Sequence, residues 1–251
     1  MATHPRRVII APSAQAWTAE GVRLFVESLR AAVAARGRFT VALSGGETPR
    51  PFFRALVHSG LEPAAWQGCH VFWVDERCVP WTDPASNYGR AREEFLRHVP
   101  VPLAQHHPMP VSPPPAEGAR RYALELQHLF RLWGDGRPVL DLILLGLGAD
   151  GHTASLYPGD RAAGRADVWV QSVEGGVPRL PRLTMTLGLL HMGRRVVFMV
   201  RGAGKGGVVR RVLTTPSAAL PAGRVQARKG ETVWLLDPEA GRDLSAAGTG
   251  R

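Results

Sequence analysis

The chain has 251 residues, 45% of them hydrophobic and 21% charged, with a formal net charge of +10. That length permits one large α/β domain or two small ones, and two cysteines, Cys69 and Cys78, exclude a disulfide framework and form no metal-ligand spacing. Apart from Lys205 and Lys229 the basic residues are arginines, scattered without a run interleaved with aromatics, which excludes a nucleic-acid groove and leaves a positive field suited to an anionic substrate.

In chain order, strand and helix patterns alternate. Val8 to Ala11 reads as a first strand, and Ser13 caps a long helix with Val22, Phe25, Val26, Leu29, Ala32 and Val33 on one face. Phe39 to Leu43 is a second strand, followed by a loop and a short helix through Phe52, Phe53, Leu56 and Val57. A third strand, Val71 to Val74, ends in the turn Asp75-Glu76-Arg77, and Ser86-Asn87 opens a helix to about His98. The proline-rich stretch 99–115 is a loop excursion bordering a small lobe, and the next helix carries Tyr122, Leu126, Leu129, Phe130 and Trp133 on one face. Leu140 to Leu145, interrupted only by Asp141, reads as a strand buried on both faces. Further on, Val168 to Val170 reads as a short strand, Arg182 to Thr186 leads into a helix, and Arg195 to Val200 is a buried strand. Gly202 to Gly206 turns into a helix through Val208, Val209 and Val212, Thr232 to Leu236 is a last strand, and a short helix precedes the tail. This alternation predicts a modified doubly wound α/β fold, a mainly parallel sheet with helices on both faces and a small additional lobe. Residues 1–246 are expected to form a single domain and 247–251 a flexible tail. The apolar run after Arg6-Arg7 is too short for a signal peptide and no segment is long enough to span a bilayer, so a cytoplasmic location is expected.

Four turns beside strand ends carry the candidate chemistry. After the central strand, Gly146, Gly148 and Gly151 let the backbone turn sharply, placing Asp150 and His152 where open α/β sheets bind ligands. A catalytic pair and a capped turn with a packed histidine both fit that spacing. Thr153 to Leu156 reads as a helix start stopped by Pro158-Gly159. In Ser44-Gly45-Gly46-Glu47-Thr48-Pro49, two glycines free backbone N–H groups ahead of a helix N-terminus, an arrangement that suits a phosphate or simply turns the chain. Glu47 opposes an anion unless its carboxylate points outward. Arg77 can fork onto a phosphate or polarise a carbonyl, with the carboxylates of Asp75 and Glu76 orienting it, or the three can form a surface ion-pair cluster; Lys205 can meet a phosphate as a point charge or be solvated. The remaining histidines, including the adjacent His106-His107, lack comparable context.

Together these segments resemble the bacterial monofunctional 6-phosphogluconolactonase family. The likeness runs in order through Leu43 to Pro49, Asp75-Glu-Arg77 with Val79-Pro80 and Ser86-Asn87, and Asp141 to Gly159, then Arg182-Leu-Thr184, Gly204-Lys205 and Trp234 to Asp237. Glu47 stands where the family has a small residue and Tyr157 where it has phenylalanine. The resemblance implies the fold of glucosamine-6-phosphate deaminases, ribose-5-phosphate isomerases and coenzyme A transferases. It also implies hydrolysis of 6-phospho-D-glucono-1,5-lactone in the oxidative pentose phosphate pathway, by a monomer without metal or organic cofactor. It assigns His152 as general base for water, with Asp150 orienting either the ring or the sugar. Ser44, Gly45, Gly46, Arg77 and Lys205 would hold the phosphate, with Arg77 also at the oxyanion. Thr48, Asp75, Asn87 and Arg182 complete the substrate contacts. Two rivals differ in sequence: deaminases place a glutamate where Tyr157 stands, and sugar-phosphate sensors carry a DNA-binding segment ahead of a sheet that here starts by Val8.

Overall fold

A computed structural model describes residues 6–134, 137–160, 165, 167–177, 179–214 and 220–248. Among them, seven parallel strands form the central sheet: β1 (Arg6–Ile10), β2 (Phe39–Leu43), β3 (Cys69–Trp73), β5 (His106–His107), β6 (Leu142–Leu145), β9 (Arg195–Val200) and β10 (Glu231–Leu236). They lie side by side in the order β1-β10-β9-β6-β2-β3-β5. Every residue of β2 and β6 is buried, so both faces of the sheet centre are covered. A smaller antiparallel sheet, β4 (Asp75–Arg77), β8 (Leu180–Met185) and β7 (Val170–Gly175) in the order β4-β8-β7, is the additional lobe.

The long helix α1 (Ala14–Arg36) starts where Ser13 accepts a hydrogen bond from the Ala16 N–H and ends at Gly37 in the left-handed region, φ 68°. Its buried stripe is Trp17, Gly21, Leu24, Phe25, Ser28, Leu29 and Ala32, with Val22, Val26 and Val33 only half-buried at its margin. Phe25 packs on Phe39 of β2 at 5.2 Å between ring centroids, on Phe52 of α2 (Arg50–Val57) at 6.1 Å and on Trp66 of α3 (Pro63–Trp66) at 6.0 Å. The polar interruption at Asp141 has a register role. Its buried carboxylate accepts from the Thr40 N–H and hydroxyl, both at 2.9 Å, and pairs with Arg36, pinning β6 beside β2. Removing one partner of a buried pair of this kind typically costs about 3–5 kcal/mol.

Several sequence expectations need correction. The stretch Asp75–Arg77 is a strand rather than a turn, because it pairs with β8 in the register Asp75↔Thr184 and Arg77↔Arg182. Thr153 to Leu156 starts no helix. Thr153 Oγ1 donates to Gly146 O, the Ser155 N–H donates to Thr184 Oγ1, and Ser155 Oγ donates to Asp75, so polar tethers to the strands displace the local ladder. Ala154, at their centre, is held at φ 49°, a left-handed conformation costing about 1–2 kcal/mol. The strand expected at Val168–Val170 instead begins at Val170, and Arg182 to Met185 belongs to β8, with only the single-turn helix α6 (Leu187–Leu190) after it. Helix α4 (Asn87–Glu94) stops short of His98, where a 3-10 turn takes over. The proline-rich loop contains β5 and leads into α5 (Pro115–Leu132). The tail expected from 247 overlaps the last helix, Pro238–Gly248, and its final three residues lie outside those described.

Candidate active site

Parallel strands β2 and β6 are neighbours, so the loops leaving their carboxyl ends emerge side by side. Ser44 Oγ ties them together by donating to Leu144 O at 2.9 Å. Between these loops and the β4–β8 ribbon lies a cleft of about 250 Å³. One wall is the loop Ser44, Gly45, Gly46 and Thr48, with Gly46 at φ 92°. The facing wall is Asp75, Arg77, Asn87 and Arg182. His152 and Lys205 line the remaining side, with Gly148, Thr153 and Ala154. The structure therefore brings together every predicted site residue except Asp150, which stands behind His152.

His152 is held on three sides. Its Nδ1 lies 2.6 Å from Asp150 Oδ1, and its N–H donates to the same oxygen at 3.0 Å. The Tyr157 ring packs against the imidazole at 4.9 Å between centroids. Gly148 leaves room for the ring, since a Cβ there would come within 2.1 Å of His152 Nδ1. Both contacts are with His152, and Asp150 is not among the residues that line the cleft. Partial burial raises the Asp150 carboxyl, but the His152 N–H and ring outweigh it and hold the group below the usual carboxylate range. A proton on Nδ1 satisfies the carboxylate that this nitrogen faces, and that tautomer leaves Nε2 as the basic nitrogen.

Charge in the cleft is set by three cations, Arg77, Arg182 and Lys205, against one carboxylate, Asp75. Arg77 and Arg182 are directly opposed across β4 and β8, a like-charge pair that is unfavourable unless an anion lies between them. Arg77 Nη1 donates to Ala85 O at 2.6 Å, and Arg182 Nε to Gly175 O at 3.0 Å, which orients both side chains. Asp75 is committed elsewhere: it accepts from Ser155 Oγ at 2.6 Å and stands 4.0 Å from Arg182 Nη1. Lys205 Nζ donates to Leu147 O at 2.7 Å. Burial lowers its pKa from the ordinary lysine value, and the Asp150 charge partly restores it. Glu47 faces outward, its carboxylate 69% exposed and paired with Arg50 at 2.6 Å and with Arg90.

Sequence reasoning reaches two contributors only in part, Glu76 as one of the carboxylates that could orient Arg77 and Ser155 not as a site residue. Glu76, between two predicted residues, is fully buried and accepts four hydrogen bonds. Burial raises its carboxyl above the usual range, opposed by the N–H groups of Tyr88, Asn87 and Arg77 and the Ser86 hydroxyl. Ser155 is the other, and its partner Asp75, 80 positions away, is not legible without the fold.

The family model for glucosamine-6-phosphate isomerases and 6-phosphogluconolactonases matches residues 12–234. The chain belongs to this family. Among its members, a 6-phosphogluconolactonase of Synechocystis is 42% identical over 217 residues, covering 85% of this chain and 88% of its own length. The rat 6-phosphogluconolactonase is 37% identical over 214 residues, covering 84% and 82%. The solved 6-phosphogluconolactonase of Trypanosoma brucei superposes with a TM-score of 0.82 at 27% identity, covering 96% of this chain and all of that one (100%). A monomeric glucosamine-6-phosphate deaminase, 20% identical with a TM-score of 0.79, covers 94% and 99% and shares the fold.

Proposed function

We propose that this chain hydrolyses 6-phospho-D-glucono-1,5-lactone to 6-phospho-D-gluconate in the oxidative pentose phosphate pathway, the reaction for which its relatives are named. The observation that carries the mechanism is the His152–Asp150 pair, 2.6 Å apart, at the edge of a cleft lined by three cations and one carboxylate. His152 Nε2 takes a proton from water as its oxygen attacks the lactone carbonyl. The resulting oxyanion collapses, the C1–ring-oxygen bond breaks, and the same proton passes to the leaving alkoxide. The immediate product is a carboxylic acid and a free 5-hydroxyl, and the acid then releases its proton to solvent to give the carboxylate. A lactone is already electrophilic, so neither a metal nor an organic cofactor is required by this route.

A covalent route has little support from the serines beside the cleft. Ser44 is committed to Leu144 O, and Ser155 is fully buried against Asp75. The phosphate fits the Ser44–Gly46 loop, with Thr48, Arg77, Arg182 and Lys205 contributing donors and charge. Arg77 is also the donor we assign to the oxyanion. Beside His152 stands the Tyr157 ring rather than a second carboxylate, which favours lactone hydrolysis over sugar-ring opening. Both cysteines are free, which fits the cytoplasm, and no helix among the described residues is long and apolar enough to cross a membrane.

The test is an assay in which the lactone is generated by glucose-6-phosphate dehydrogenase and its disappearance is followed against spontaneous hydrolysis. Consumption no faster than the uncatalysed rate would overturn the assignment.

A further inference from the structure

Glu76 takes no part in the steps above, yet it is fully buried beside the cleft. Its Oε1 accepts from the Arg77 N–H at 2.8 Å and the Asn87 N–H at 2.7 Å. Its Oε2 accepts from the Tyr88 N–H at 2.7 Å and the Ser86 hydroxyl at 3.0 Å. Helix α4 already has its own cap, because Ser86 Oγ accepts from the Gly89 N–H at 3.0 Å. The carboxylate reaching over from β4 is therefore an additional anchor between strand and helix. Two of its four donors are the backbones of residues whose side chains line the cleft.

Asn87 carries the constraint further. Its Nδ2 donates to Asp75 O at 2.8 Å, and its Oδ1 lies so close to Gly45 that a Cβ there would approach within 1.8 Å. A shift at Glu76 must then move Arg77 on one wall and, through Asn87, the Ser44–Gly46 loop on the other. We propose that Glu76 is a positioning residue for substrate binding: its carboxylate sets the spacing between the arginine wall and the glycine loop. This rests on the cleft being the sugar-phosphate site.

The carboxylate is needed because four donors converge on two oxygens. A glutamine offers one oxygen and turns an NH2 group, itself a donor, toward at least two of them. On folded Glu76→Gln, verified by circular dichroism, KM is expected to rise about tenfold, the equivalent of one net charged hydrogen bond. The inhibition constant of inorganic phosphate should rise with it. kcat should change much less than KM, because the His152–Asp150 pair is left in place. Glu76→Asp, with the charge drawn back by one methylene, is the second variant and should raise KM in the same way. Ser86→Ala serves as the control: it removes one donor and loosens the helix cap but leaves the Arg77 and Asn87 bonds, so its KM should stay within about twofold. Wild-type KM in folded Glu76→Gln or Glu76→Asp overturns the positioning role, as does Ser86→Ala raising KM equally, since helix stability alone would then explain it. Lys205→Ala measured alongside separates the two levels: if its KM and phosphate inhibition also stay at wild type, the phosphate-site reading itself falls.

Discussion

Replacing Asp150 by alanine removes the acceptor that faces His152 Nδ1 at 2.6 Å and the His152 N–H at 3.0 Å. A hydrogen bond to a charged group contributes about 1.5–3 kcal/mol. The Asp150 side chain is 52% exposed, so solvent screening places the loss near the lower end, at about 1.5 kcal/mol. In rate terms that is about a tenfold fall in kcat. Asp150 lies outside the cleft lining, so KM should change by less than about twofold. Asp150→Asn is expected to be at least as damaging, because its NH2 can turn to Nδ1 and favour the tautomer with the proton on Nε2, where the base is needed. The assay is the initial rate of lactone loss, corrected for spontaneous hydrolysis, across a full substrate range. Wild-type kcat in Asp150→Ala would refute the orienting role, and a loss carried wholly in KM would place Asp150 on the sugar instead.

Other consequences follow from the same geometry. Lys205→Ala should raise KM by about tenfold or more with a smaller effect on kcat, since a remote phosphate contact contributes to binding before it contributes to chemistry; an unchanged KM would remove Lys205 from the phosphate site. Burial lowers the Lys205 pKa, so its ammonium is lost at a less alkaline pH than in free lysine. Substrate binding should therefore be strong below that pKa and weaken as pH rises through it, and Lys205→Arg should move the weakening to higher pH. Gly45→Ala forces a Cβ to within 1.8 Å of Asn87 Oδ1, and should cost about 1–3 kcal/mol in thermal stability along with much of the activity. Normal melting and kinetics in that variant would show that the loop is free to move. Glu47→Ser removes only exposed ion pairs, those with Arg50 and Arg90, so KM and melting temperature should stay close to wild type; tighter substrate binding would show that its charge reaches the cleft.

The central sheet was legible because β2, β6 and β9 are short apolar runs buried on both faces, and the Ser13 cap and Gly37 terminus of α1 follow local rules. The site residues were legible for a different reason: they sit in glycine-marked turns directly after those strands. The smaller sheet was not. β4 has three residues, Asp-Glu-Arg, with no apolar periodicity, and it is a strand only because a hairpin about a hundred residues later pairs with it. Likewise, Thr153 to Leu156 looks helical locally, but Thr184 and Asp75, distant in sequence, supply the bonds that decide its shape. The outward direction of Glu47 depends on Arg90, which lies 43 positions away. The contact between Asp150 and the His152 ring is likewise a matter of side-chain direction, which spacing does not specify.

The central claim is that His152 activates water directly. Its most direct test is the turnover number of His152→Ala, measured on folded protein with spontaneous hydrolysis subtracted. General-base catalysis predicts a fall of about 10²–10⁴-fold with KM nearly unchanged. Turnover close to wild type would contradict it.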